Sequence, residues 1–423
     1  MLREKRKKLR KAGLTGKGRK LAFFAVTGMV VSVTIGCSSG SPEASDMGIT
    51  VVEDDPSPDE SDPVDAESIA AVYRDIYEEA LETHTLGSLE TTQRIVSRLG
   101  ENGYVAVDSR NQVDMAGAEQ ALEFCRAVEE KKNAGLTVIV LKDLGFRKFD
   151  LETENGNVNI VRGYYQYDSG GCLRNISTVS YPADIWQYTE EGYLFFEGSY
   201  FSDVNFVFTL SDTPERTALR VLALDEKCRK LNRKYILPAG YEQNNIFLTD
   251  WSEEDFGDLD FYDVFDAFYP SLYRQAVPYA ADDDLGVGAV YQIPEEIFES
   301  VVMAHFRIDR EALRRRTTYL PECAAYEYRP RGFYEVEYPD IPYPEVVSYA
   351  EDQDGTVTLL INAVYPDRNT AAAFSHRTVI RPLSEGCFQY VSNQMISPEE
   401  YDIRWHSDRL TKEEWLEIYG GTE

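Results

Sequence analysis

Histidine and cysteine, from which most metal and nucleophile sites are assembled, are scarce: 4 His and 6 Cys in 423 residues. His84, His305, His376 and His406 stand far apart. None is paired at i, i+4 and HExxH does not occur, which excludes a zincin. Cys125, Cys172, Cys228, Cys323 and Cys387 are scattered, with no CxxC and no Cys/His cluster. Neither a zinc site nor a dense disulfide framework is expected, although one isolated disulfide stays open. There is no phosphate-binding P-loop and no GxGxxG fingerprint, so no motif calls for a nucleotide, metal or other cofactor. Positive charge is the other shortage, with 43 Lys and Arg against 73 Asp and Glu. Long apolar runs are missing too, apart from Leu21 to Ile35.

That one run has a distinctive setting. Ten of the 43 basic residues precede it, opposed by Glu4 alone, and Thr34-Ile35-Gly36-Cys37 closes it. Cations held in the cytoplasm, an apolar stretch entering the bilayer and small residues before a scissile bond make an export signal. The segment resembles the lipobox of Gram-positive lipoproteins, although Thr34 stands where Leu or Val is usual. The resemblance implies a diacylglyceryl group on Cys37 and cleavage before it. An uncleaved anchor would be short, since a span needs about twenty residues and this run has about fifteen. Ordinary secretory cleavage also fits Thr34 and Gly36. All three readings put residues 37–423 outside the cytoplasm. The only GxSxG-like stretch, Gly36 to Gly40, lies in this signal and is no nucleophile elbow.

Without the first 36 residues the chain keeps 33 basic and 72 acidic residues, a net charge near −39. Nucleic acid, bound by neutralising phosphates with Lys and Arg, is excluded as a partner. Strong acidity otherwise serves solubility. Residues 37–64 form the lipidated cysteine and a linker, acidic, with four prolines and no Lys or Arg. Such a stretch cannot bury enough apolar surface to fold, and as a coil it reaches roughly 30 Å.

Order is expected from residue 65. Ile69, Val72, Tyr73, Ile76, Tyr77, Ala80 and Leu81 make a helical stripe. A second helix is expected over Leu89 to Leu99, a strand over Tyr104 to Val107, and a third helix capped by Asp114. Strands then run from Leu136 to Phe196, with hairpins at Asn155-Gly156 and Glu191-Gly192. Val204 to Leu210 and Val221 to Leu224 read as further strands, and Glu226 to Lys234 as a basic helix. A second unit opens near Tyr291 with a helix from Pro294 to His305, and has a hairpin at Asp354-Gly355. Two main domains follow, an N-terminal α+β domain (65–249) and a C-terminal α+β domain (289–423), joined by an acidic, aromatic connecting region (250–288). Asn155-Gly156, Thr178-Val179 and Glu191-Gly192 are echoed by Asp354-Gly355, Thr378-Val379 and Glu385-Gly386. The expected fold class is α+β, helices on antiparallel meander sheets, in two units. This element order resembles cone-like NTF2-like and cystatin-like folds, which by itself carries no function.

Gly240-Tyr241-Glu242-Gln243-Asn244-Asn245, Phe374-Ser375-His376-Arg377-Thr378-Val379 and Phe388-Gln389-Tyr390-Val391-Ser392-Asn393 resemble clostridial lipoproteins of a family without an assigned function. The resemblance covers most of the chain after the linker and implies no activity.

For chemistry, Ser375 and His376 are adjacent, and neighbours on a strand face opposite sides. His376 is therefore expected to be a strand histidine satisfied by the backbone or water. The run Asp250, Glu253, Glu254, Asp255, Asp258, Asp260, Asp263 and Asp266 offers hard oxygen ligands, but its spacing is not that of an EF-hand. Phe261, Val264, Phe265, Phe268 and Tyr269 share one helical face, so the acids read as a solvated face favouring the helix start. The expected role is a binding or interaction module at the cell envelope, held to the membrane by its lipid, with an unknown envelope ligand or protein as partner. Trp251, Asp255, Asp258 and Tyr262 are the candidate ligand contacts. The alternative is a hydrolase of envelope polymers using carboxylates such as Asp255 or Asp258, since glycosidases need only two placed carboxyl groups. No catalytic residue is assigned.

Overall fold

The computed structural model describes residues 65–279, 288–336, 341–396 and 405–419. The signal, Cys37 and the acidic linker lie outside the described residues. No described helix is long and apolar enough to cross a membrane.

The first helix, α1 (Ala66–Glu82), buries Ile69, Tyr73, Ile76 and Tyr77, whose spacing puts them on one face. The Asp65 carboxylate accepts the Glu67 N–H at 3.2 Å and starts it. Ser88 starts α2 (Leu89–Glu101) by accepting the Thr91 N–H at 3.2 Å. Each such cap contributes about 1 kcal/mol. After β1 (Val105–Asp108) comes α3 (Ala118–Glu129), which begins at Gly117 in the left-handed region. Asp114 does not cap it. Its carboxylate instead receives the Arg229 guanidinium at 2.6 and 3.0 Å.

The strands β2 (Ala134–Lys142), β3 (Gly145–Glu154), β4 (Asn157–Tyr167) and β5 (Leu173–Pro182) form an antiparallel meander. β1 adds to it in parallel beside β2. Val138-Ile139-Val140-Leu141 is apolar without alternation because both faces of this sheet are covered. Ile139 and Leu141 pack with α1 and α2, Val138 and Val140 with α3. A second antiparallel sheet, β6 (Ile185–Tyr188), β7 (Tyr193–Tyr200) and β8 (Thr213–Arg220), closes the α3 side through Leu194, Phe196 and Leu219.

Between β7 and β8 the expected strand Val204 to Leu210 is a helix, α4 (Asp203–Thr209). Ser202 accepts the Asn205 N–H and Thr209 donates to the Asn205 carbonyl, so polar side chains close the turn locally. Val221 to Leu224 is irregular rather than a strand. The basic helix forms as α5 (Glu226–Leu231) and continues as one π-helical segment, Asn232–Ile236.

The remaining core gathers β9 (Trp251–Ser252), α6 (Phe261–Tyr273), β10 (Tyr291–Pro294), α7 (Glu295–His305), α8 (Arg310–Arg316), β11 (Tyr319–Leu320) and β12 (Ala325–Tyr328). They pack with the strands β13 (Tyr343–Glu351), β14 (Val357–Val364), β15 (Ser375–Pro382) and β16 (Phe388–Met395). The last four form an antiparallel meander, and β9 adds to its β16 edge. The final element is α9 (Lys412–Tyr419). Helices and antiparallel sheets with no closed barrel among the described residues make this an α+β protein. Residues before and after the π turn are joined by a buried ion pair, Arg220 to Glu345 at 2.7 Å, with the Tyr193 hydroxyl donating to Glu345 at 2.8 Å.

Candidate functional site

A cavity of about 240 Å³ opens where α1 and α2 meet the end of β2. Tyr73 and Tyr77 of α1, Leu89 and Ile95 of α2, Leu141 of β2 and Leu237 supply an apolar lining. The polar side comes from the loop after β1, the β2–β3 turn and the π turn, as Asp108, Arg110, Lys142, Asp143 and Arg233. The helix-to-helix turn reaches this rim at Gly87, whose φ is +74°. A Cβ there would stand 2.8 Å from the exposed Asp143 carboxylate, which would have to swing aside, and the left-handed φ itself favours glycine.

The charges in this cleft are unequally satisfied. Asp108 holds its loop by accepting the backbone N–H groups of Arg110, Gln112 and Val113 at 3.1, 3.1 and 2.8 Å. Asp143 pairs with Arg110 at 2.7 Å. Lys142 and Arg233 are half-buried, and among the described residues neither has a carboxylate within ion-pair distance. Burial, then the nearby Arg147, pushes the Lys142 ammonium below the usual lysine range. Burial, then Arg229, does the same to the Arg233 guanidinium, which also donates to the Gln112 carbonyl at 3.4 Å. Two cations disfavoured by burial therefore stand beside an apolar wall.

The four contacts expected from sequence do not converge on this cleft. Trp251 is buried and its indole donates to the Ile246 carbonyl at 2.7 Å, with its ring packed on Phe256 and Phe306. Tyr262 packs on Phe298, and its hydroxyl accepts the Thr318 N–H at 2.8 Å. Asp255 is exposed and pairs with Arg316 at 3.2 Å. Asp258 is exposed too, and its carbonyl accepts from Asn245 at 2.8 Å. Arg316 also lines a second, open and polar cleft of about 500 Å³ with Glu253, Arg307, Asp309 and Arg315. There the charges are largely matched, Glu253 by Arg381 at 2.7 Å and Arg315 by Glu311 at 3.9 Å.

The reading of the α6 acids as a solvated face is corrected. Asp263 is 1 % exposed and accepts from Arg331 at 2.8 and 3.1 Å and from Arg409 at 2.9 Å. Asp266 receives Arg409 as well, and the Tyr328 hydroxyl at 2.7 Å. Two distant arginines neutralise these acids, which periodicity within the helix cannot reveal. Asp260 keeps the expected helix-start role, accepting the Tyr262 N–H at 2.8 Å.

The three sequence stretches that resemble an uncharacterised lipoprotein family meet inside the core. His376 is fully buried, with the Tyr241 hydroxyl 3.0 Å from Nε2 and the Asn393 Oδ1 2.8 Å from Nδ1. Asn393 donates through Nδ2 to the Thr249 carbonyl at 2.9 Å, so its oxygen faces the ring and accepts from Nδ1. Side chains, rather than backbone or water, satisfy this histidine. Ser375 turns away to bond Asn362 at 2.8 Å. These residues pin β15 to β16 and to the segment before β9. They are structural. A family model for a family of unknown function, DUF6070, matches residues 59–409. The chain belongs to that family. No curated protein and no solved structure matches it.

Proposed function

We propose that this member of the family is an extracytoplasmic, lipid-anchored binding module that captures a small amphipathic anion in the cleft between α1, α2 and the β2–β3 turn. The observation that carries the reading is the pair of half-buried cations, Lys142 and Arg233, without ion-pair partners on an apolar-lined cavity. A carboxylate or phosphate monoester at that point relieves the desolvation of both, and a short apolar chain covers Tyr73, Tyr77, Ile95 and Leu237. Catalysis is the weaker reading. Both oxygens of the cleft carboxylate Asp108 are engaged by backbone N–H groups and Asp143 is paired with Arg110 through one oxygen, so the described lining offers no pair of available carboxylates. The anchoring part rests on the basic stretch, apolar run and Cys37 of the sequence.

The test is equilibrium binding of octanoate, octyl phosphate, octanol and octylammonium to the full chain. The two anions should bind at least about tenfold more tightly than the alcohol, a difference of about 1.4 kcal/mol. The Lys142→Met, Arg233→Met double variant should lose that preference while keeping its fold. Equal affinity for anion, alcohol and ammonium overturns the reading, as does turnover of any of them.

A further inference from the structure

The tip joining β7 to β8 exposes more apolar surface than any solvated loop needs. Phe208 and Leu210 are each 77 % exposed, Val207 73 %, Val204 71 %, Phe201 61 % and Phe206 42 %. No residue of α4 is buried. At about 100° per residue, Val204, Phe206, Val207, Phe208 and Leu210 span an arc of roughly 200°. The usual apolar stripe of a helix packed on a surface is nearer 100°.

The rest of the tip is closed on itself. Asn205 donates to the Ser211 carbonyl at 3.0 Å, Thr209 to the Asn205 carbonyl at 2.8 Å and the Leu210 N–H to the Phe206 carbonyl at 2.8 Å. Polar groups satisfied internally are what entry into hydrocarbon requires. From Phe201 to Pro214 there is no Lys or Arg, and Asp203 and Asp212 are the only charges. Arg216, the next cation, is engaged by Glu197 at 3.2 Å and Asp367 at 2.6 Å.

We propose that the 201–210 tip is a membrane wedge that enters the outer zone of a bilayer with uncharged or zwitterionic headgroups. An arc this wide fits an isotropic apolar phase better than the groove of a protein, and the lack of cations argues against anionic lipid. The occupant follows from the chain itself. The 27 residues from Ser38 to Val64 join the expected lipid on Cys37 to Asp65, the first described residue. The two acyl chains of a diacylglyceryl group anchor a protein by themselves, and a wedge adds a second contact that fixes how the unit meets the surface. This inference rests on the anchoring half of the proposed function and is independent of the cleft.

The test places tryptophan in the full chain as Val207→Trp, with Ile176→Trp on the exposed face of β5 as control. Each is mixed with phosphatidylcholine vesicles carrying bromine on the acyl chains. The Val207→Trp emission should shift to shorter wavelength and be quenched by the bromines, while the control is unmoved. Adding Phe206→Ser and Phe208→Ser should abolish the quenching. Flotation with vesicles but no quenching at position 207 overturns the wedge and leaves the anchor standing. Neither flotation nor quenching overturns both. A shift that appears without vesicles, grows with protein concentration and accompanies a dimer in sedimentation assigns the surface to a second copy and also overturns the wedge.

Discussion

Replacing His376 by Gln should flatten the acid dependence of stability. The imidazole is fully buried, packs parallel to Phe247 at 5.2 Å and uses both nitrogens, donating from Nδ1 to Asn393 and facing the Tyr241 hydroxyl at Nε2. Burial pushes its pKa down to about 3, with the Asn393 bond opposing. An unfolded-chain histidine titrates near 6.5. Between those values the unfolded state binds the extra proton, so stability is full above about pH 6.5 and falls as pH drops toward 3. At pH 4.5 the difference of about two units, at 1.36 kcal/mol each, amounts to about 2.7 kcal/mol. That is a large share of the 5–15 kcal/mol typical of a folded domain. Urea denaturation of wild type and His376→Gln between pH 7.5 and 4.5 reads this term by difference. The carboxylates and His305, itself depressed to about 4 by burial, remain in both proteins and cancel. Gln lowers stability at pH 7.5 through lost packing, yet the gap should close by roughly 2–3 kcal/mol on acidification. Parallel pH curves would refute the neutral, doubly bonded imidazole.

Arg409→Met removes the arginine partner of Asp266 and one of the two of Asp263, and should cost about 3–5 kcal/mol, read as a loss of roughly 4–7 °C in melting temperature for a unit of this size. Anion binding in the cleft should weaken as pH rises through the depressed pKa of Lys142, because the ammonium is lost there. Calorimetry at increasing pH should show this earlier than an ordinary lysine would, and Lys142→Met should remove the dependence. Gly87→Ala places a side chain in the left-handed region against Asp143, and should cost about 1–2 kcal/mol while weakening anion affinity by shifting the Asp143–Arg110 rim. Asp255→Asn and Asp258→Asn, both on the surface, should each change stability by no more than about 0.5 kcal/mol in the same melts.

What was legible in the sequence was local. The stripe from Ile69 to Ala80 became the buried face of α1, although Leu81 at its end is 50 % exposed. The turns at Asn155-Gly156, Glu191-Gly192 and Asp354-Gly355 join β3 to β4, β6 to β7 and β13 to β14, because positive φ at glycine is written in the residue itself. The tip from Val204 to Leu210 misled because Val and Phe favour strands when a neighbouring surface covers them, and here no described residue does. The cleft left no local trace. Tyr73, Arg110, Lys142 and Arg233 come from four separate segments, which no local pattern links.

The placement of the arginines explains why two unpaired cations carry weight in so acidic a chain. Arg162, Arg220, Arg229, Arg331 and Arg409 are all nearly buried and each meets a carboxylate, in Glu215, Glu345, Asp114, Asp263 and Asp266. A buried cation left unpaired is strongly destabilising, and these five positions show a chain with acids enough to avoid it. Against that pattern Lys142 and Arg233 stand half-buried on one cavity, and the carboxylates that favour them most at longer range, Glu215 and Glu226, are paired with Arg162 and Lys230. Fold stability gains nothing from such an arrangement. Under the proposed function the arrangement serves recognition of a negative group, because the fold has already met part of the cost of desolvating the two cations. On that proposal the acidic surface repels anions in general, and selectivity comes from shape and from these two side chains.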